Sequence, residues 1–237
     1  MTDTTTDPRA AAMEAVLAAA LNHVPFDGWS EASLRAAIAD SGVAPGLARA
    51  LFPRGGVDLA AEFHRQGDAM MRDRLAGMDL TALRFRDRVA QAVRTRLEVV
   101  ADREAVRRGA TLFALPQHAA QGARLIWGTA DAIWTALGDT AVDLNWYTKR
   151  ATLSAVYAAT VLYWLGDETP DHQATWDFLD RRIADVMRVE GAKASLRRNP
   201  LARGVMESPL NPLNRVRAPG AKGAPDPAAG LPGRISA

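Results

Sequence analysis

Residues 30–59, SEASLRAAIADSGVAPGLARALFPRGGVDL, decide how the amino-terminal part of the chain folds. Ser30 is suited to cap a helix, because its side-chain oxygen accepts from an N–H group that the first turn leaves without a partner. The run behind it places Leu34, Ala37 and Ile38 three and four residues apart, on one buried face. Ser41-Gly42 ends that helix, and Pro45 opens a shorter one carrying Leu47, Ala48 and Leu51 before Phe52-Pro53. Upstream, from about Pro8 to His23, Met13, Val16, Leu17, Ala20 and Leu21 form another helical stripe, broken by Pro25 to Gly28. Three short helices with a glycine-bearing turn make a helix-turn-helix pattern over residues 9–56.

Beyond Val57 the expected helices lengthen: Asp58 to about Met78, Leu80 to about Val100, Arg103 to about Leu115, His118 to Leu137, Asp143 to Leu165 and Asp171 to about Glu190. Runs of alternating β-branched residues are scarce, so the chain reads as all-α, with a larger helical region over 57–190. Residues 1–8 read as a disordered N-terminus. From Gly191 to the end, prolines and glycines interrupt any continuous helix, and eight Lys/Arg stand against two acids. Residues 191–237 are therefore expected to form a basic, Pro/Gly-rich, mobile tail, suited to an anionic surface or simply to solubility.

At 237 residues, with 48% hydrophobic and 24% charged, the chain can bury a core without covalent staples. The absence of cysteine excludes disulfides, thiolate catalysis, cysteine-bound zinc and iron-sulfur clusters. The longest uncharged stretch, Ala151 to Gly166, would reach about 24 Å as a helix, short of the ~30 Å bilayer core, which favours a buried helix. The opening MTDTTTDPR has neither the apolar stretch of a secretory signal nor an acid-free basic helix, so a cytoplasmic location is expected. None of His23, His64, His118 or His172 has a Glu three positions before it, which removes the helical di-iron pattern. Glu168 and His172 are four apart, but Pro170 between them suits a helix start better than a ligand pair. The phosphate loop, dinucleotide fingerprint, zincin motif and nucleophile elbow are absent as well, so neither catalytic residues nor a cofactor are expected.

Arg9 to Gly67 resembles the amino-terminal region of TetR-type regulators, through Gly28, Ser33-Leu34-Ala37-Ile38, Ser41-Gly42-Val43 and Leu51-Phe52-Pro53-Arg54-Gly55-Gly56-Val57. A DNA-reading third helix needs polar side chains for bases and phosphates. Here it is Pro45-Gly46-Leu47-Ala48-Arg49-Ala50-Leu51, with Arg49 its only charge, so no nucleic-acid partner is expected. A TetR-type transcriptional regulator with a small-molecule pocket remains the alternative reading.

Five of the six tryptophans lie between positions 127 and 176. Trp127, Asp131 and Trp134 share one helical stripe, and core packing and partner docking are both open to it. Gly138-Asp139, then Asp143-Leu144-Asn145-Trp146-Tyr147-Thr148-Lys149-Arg150, reads as a loop capped by Asp143 into a helix that presents a Trp-Tyr pair. These residues, with Ala130-Asp131-Ala132-Ile133-Trp134 and Thr175-Trp176-Asp177-Phe178-Leu179-Asp180-Arg181-Arg182-Ile183, resemble the Coq-nine family of ubiquinone-biosynthesis proteins. The resemblance spans about Met13 to Val189.

It implies a TetR-like, homodimeric, non-enzymatic protein that holds an isoprenoid quinone or a phospholipid and presents a quinone intermediate to the demethoxyubiquinone hydroxylase. Its partner patch falls on Ile133, Trp134, Asp143, Trp146 and Tyr147. Asp131 joins them as the acid between two indoles, and Arg150 as a residue able to pair with an acidic partner or with Asp143. Candidate walls for the lipid are Leu112, Phe113, Leu115, Trp127, Tyr157, Val161, Leu162, Trp164 and Phe178, with Val156, Trp176 and Leu179 nearby; the same side chains could fill a core or dimer seam. Membrane docking in the family is associated with a long amphipathic C-terminal helix, which Pro200, Pro209 and Pro212 interrupt here. Leu201 to Met206, with Arg197, Arg198 and Arg203, leaves only a short segment for transient, peripheral attachment to the inner membrane.

Overall fold

The computed structural model describes residues 7–100, 102–198 and 218–219, with side chains described as far as Arg188 in the last long helix. The elements are α1 (Pro8–Leu21), α2 (Val24–Asp27), α3 (Glu31–Ser41), α4 (Pro45–Leu51), α5 (Gly56–Ala76), α6 (Phe85–Glu98), α7 (Arg103–Ala114), α8 (Pro116–Ala136), α9 (Leu144–Gly166), a 3₁₀ turn (Pro170–His172) and α10 (Gln173–Arg198). No β-strand occurs among the described residues, as the all-α reading expected.

The helix-turn-helix forms as its capping residues require. Ser30 Oγ accepts from Ser33 N at 3.2 Å, and Gly42 ends α3 in the left-handed conformation (φ +69°). Val16, Leu17, Leu34, Ala37, Ala48, Phe52 and Leu59 close one core among α1, α3, α4 and the start of α5. Trp29 reaches out of this core to donate from Nε1 to the Ala105 carbonyl of α7 at 2.9 Å, tying the small unit to the larger one. A Cβ on Gly56 would lie 2.3 Å from the Trp29 carbonyl carbon and oxygen, so the chain can cross there only as glycine. Gly56→Ala is expected to destabilise by about 1–3 kcal/mol, because backbone must move to make room. Chemical denaturation monitors this, and an unchanged midpoint would refute the close approach.

The larger unit packs α5, α6, α8, α9 and α10 around Met71, Val93, Ile133, Leu153, Trp164, Trp176 and Leu179. Several boundaries differ from the sequence reading. α6, the second long helix, begins at Phe85 and not at Leu80, since the Asp79 carboxylate accepts from the Thr81 N–H (2.9 Å) and hydroxyl (2.6 Å) and holds residues 79–84 in a turn. Pro25 sits in the first turn of α2, where its missing N–H costs nothing, and Pro116, between α7 and α8, likewise opens α8 two residues before the expected His118. Asp7 and Pro8 belong to α1, with Asp7 capping the Arg9 N–H, while residues 1–6 of the expected disordered terminus lie outside the described residues. α10 continues to Arg198, past Gly191.

Most of the expected tail lies outside the described residues. Ala218 is described: it is buried, and its N–H donates to the Val142 carbonyl at 2.9 Å, against the α8–α9 turn. Asp167 accepts from the N–H and hydroxyl of both Thr175 and Thr169, which fixes the approach to α10. Those hydrogen bonds hold its carboxyl well below the usual carboxylate range.

Candidate functional site

α5 to α9 leave between them a cavity of about 410 Å³. It exists because small side chains face it where helices pack: Ala60, Gly109, Ala110, Gly122, Ala123 and Ala158 contribute little volume. Gly122 is required there, since a Cβ would come within 2.8 Å of Phe113 Cβ. Of the expected walls, Phe113, Tyr157, Val161, Leu162 and Trp164 line this cavity. Leu112 packs against the amino-terminal core instead, Leu115 is exposed at the α7–α8 junction, and Phe178 stacks on Tyr163 with centroids 4.5 Å apart. Trp127 belongs to a different cluster, described below, while Trp176 and Leu179 fill the core. The sequence reading missed Phe63, His64, Arg96 and Ile126. The signal that could have found the space was the paired small residues, Gly109-Ala110 and Gly122-Ala123, on consecutive helices.

One end of the cavity is polar. Arg96, buried, donates from Nε to Asp68 Oδ1 at 2.7 Å and from Nη2 to the His64 carbonyl at 3.0 Å. The Thr129 hydroxyl donates to the same Asp68 oxygen at 2.8 Å, and His64 Nε2 lies 2.8 Å from Thr129 Oγ1. Burial opposes the Arg96 charge, but the Asp68 carboxylate paired with it offsets that cost and the guanidinium stays protonated. Burial also pushes the Tyr157 phenol up, keeping it neutral. His64 is pushed down from 6.5 to about 4, by burial first and by Arg96 next.

A lowered histidine has a definite linkage sign. As pH falls from 6.5 toward 4 the unfolded chain takes up a proton that the folded chain refuses, so stability drops across that window by about 3 kcal/mol. His64→Gln keeps a donor for Thr129 but cannot titrate. Its urea-unfolding free energy should lose that part of the pH dependence, and a slope equal to that of the natural sequence would refute the assignment.

On the far side of α8 an aromatic cluster forms a second feature. Trp127 lies 6.0 Å from Trp146 and 6.5 Å from Tyr147, and the last two meet edge to face at 4.8 Å. Asp143 caps α9 by accepting from the Asn145 N–H at 3.0 Å, which turns the Trp-Tyr pair onto the first turn. Arg150 sits beneath, its guanidinium 3.9 Å from the Trp146 ring centroid, donating to Asp131 (2.6 Å), Asp139 (3.0 Å) and the Trp146 carbonyl (3.3 Å). Lys149 also donates to Asp139 at 2.7 Å; these donors overcome the effect of burial and hold that carboxyl below its usual range.

The structure therefore divides the expected docking residues. Asp131, Asp143, Trp146 and Tyr147 keep exposed surface. Ile133 is fully buried in the core, Trp134 is spent on Phe85 (5.6 Å, stacked) and on the Lys149 carbonyl (3.1 Å), and Arg150 is 2% exposed. Arg150 pairs with Asp131 and Asp139, not with Asp143. All three face inward because their stripe on α8 and α9 is the one that packs against α6 and the α8–α9 turn; they support the surface and do not form it. Among the described residues no three His, Cys, Asp or Glu are grouped to hold a metal, and no helix is long and apolar enough to cross a membrane.

Fold and cavity together define a TetR-fold chain with an apolar chamber among its carboxyl-terminal helices. The TetR transcriptional regulator from Nitrosomonas europaea superposes with a TM-score of 0.58 at 17% identity, over 73% of this chain and 95% of that one, a likeness of fold alone. The COQ9 family model matches residues 119–190. Ubiquinone biosynthesis protein COQ9 of Schizosaccharomyces pombe is 32% identical over 212 residues, covering 86% of this chain and 77% of its own length. The mitochondrial COQ9 proteins of Drosophila melanogaster (33% over 180 residues, 74% of this chain) and Homo sapiens (31% over 185 residues, 73% of this chain) are similar too. The chain belongs to the COQ9 family. It spans a little over half the length of the fly and human relatives, 55% and 57%.

Proposed function

We propose that this chain serves ubiquinone biosynthesis as a non-enzymatic lipid-binding accessory protein. In this reading the cavity holds an isoprenoid quinone intermediate, and the face built from Trp127, Asp131, Asp143, Trp146 and Tyr147 offers it to the demethoxyubiquinone hydroxylase. The observation that carries the reading is the cavity itself: about 410 Å³ lies within the ~300–1,000 Å³ of small-molecule sites, and its walls are apolar apart from one polar end. Each buried CH₂ of a lipid tail contributes roughly 0.8 kcal/mol in such a place. The relatives' names supply the pathway, since they are called ubiquinone biosynthesis proteins. Peripheral, transient association with the inner membrane and a homodimer belong to the same proposal.

Arg49, the single charge of α4, is paired with Glu31 at 3.0 Å, which favours a scaffold role for the helix-turn-helix over phosphate binding. Native mass spectrometry of the purified protein, followed by organic extraction, is the test. A co-purifying isoprenoid lipid supports the proposal; ligand-free protein that shifts a DNA duplex at physiological salt overturns it.

A further inference from the structure

Arg96 brings a full positive charge into the wall of the cavity, yet that charge is already answered. Its Nε donates to Asp68 at 2.7 Å and Nη2 to the His64 carbonyl, while Nη1 makes no hydrogen bond to any described residue. The Thr129 hydroxyl donates to Asp68, His64 Nε2 lies 2.8 Å from Thr129 Oγ1, and the Leu125 carbonyl stands beside His64 and the Tyr157 phenol beside Thr129. His64 and Tyr157 are both neutral in the fold. The polar end thus carries no net charge, with the Arg96 guanidinium packed over Gly67 and answered by Asp68. An anionic head placed there would meet a guanidinium already neutralised and the Asp68 carboxylate behind it. Its lost hydration would go uncompensated, a cost of several kcal/mol for a buried ion. A neutral oxygen head carries no such penalty.

We propose that Asp68 sets the charge class of the ligand: by cancelling Arg96 it makes the cavity a receptor for apolar-tailed molecules with a neutral, oxygen-bearing head, and closes it to fatty-acid carboxylates and phosphate heads entering head first. This rests on the lipid-binding reading and narrows it. The tail leaves past Leu162, which lines the cavity and is yet 66% exposed.

Farnesol and laurate, with tails of comparable length and heads of different charge, test the proposal. Binding is read at pH 8 through quenching of tryptophan fluorescence, Trp164 lying in the wall. The natural sequence should prefer farnesol by about thirtyfold or more, and Asp68→Asn, which frees the Arg96 charge, should gain about tenfold for laurate with farnesol little changed. Equal affinities in the natural sequence, or a folded Asp68→Asn that gains nothing, overturns the proposal. The preference of the natural sequence decides alone should Asp68→Asn fail to fold. Binding of both lipids without preference leaves the lipid-binding reading standing and removes only this inference, whereas binding of neither removes both.

Discussion

With the proposed docking face, Trp146→Ala/Tyr147→Ala is expected to weaken association with the demethoxyubiquinone hydroxylase by about 1,000-fold, because aromatic anchors at interfaces are worth ~2 kcal/mol each. The pair occupies the first turn of α9 and keeps exposed surface, while its backbone is held from below by other contacts. Asp143 caps the turn, Trp134 Nε1 grips the Lys149 carbonyl, and Asp139 gathers Lys149 and Arg150. Removing the two rings takes the stacking on Trp127 and the Arg150 cation–π contact but leaves Arg150 with both carboxylate partners. The turn should therefore survive with a modest fall in Tm. Surface-immobilised hydroxylase titrated with the variant, alongside circular dichroism, checks both halves of the expectation. Natural-sequence affinity in a folded variant would remove these residues from the docking face.

Residues with a local physical reason were legible in the sequence. Ser30, Gly42, Pro45 and Asp143 each act within a few residues of their own position, and each caps or breaks a helix as its chemistry dictates. The segment proposed for docking was legible for the same reason, since cap, Trp-Tyr pair and arginine lie within eight residues. Facing was harder. Ile133 and Trp134 sit on α8 beside exposed positions, and only contacts with other helices, such as α6 and α9, decide that they point inward. The polar end of the cavity was illegible for a stronger form of that reason: His64 and Asp68 come from α5, Arg96 from α6, Thr129 from α8 and Tyr157 from α9. No spacing in a single helix announces them. Likewise Asp79 stops α6 from starting at Leu80 through two hydrogen bonds to Thr81 that an apolar periodicity does not register.

Ala158→Phe separates the cavity from the docking face. Ala158 lines the cavity from α9, between Tyr157 and Val161, so a phenyl ring on its Cβ occupies space that the ligand would need. Lipid affinity should fall by at least about 30-fold, a loss larger than one missing hydrogen bond gives. The fold should not suffer, because filling an existing void adds contacts without displacing packed atoms; a gain of about 0.5–2 kcal/mol is the usual result of such filling. Hydroxylase association should be unchanged, since the ring lies three turns along α9 from Trp146 and on the cavity side. The two variants therefore predict crossed behaviour: Trp146→Ala/Tyr147→Ala keeps the lipid and loses the partner, Ala158→Phe keeps the partner and loses the lipid. If Ala158→Phe instead copurifies with as much lipid as the natural sequence, the ligand lies elsewhere and the space among α5 to α9 is only a packing void. If it loses lipid and partner together, the docking face depends on the occupied cavity, and loading must precede docking.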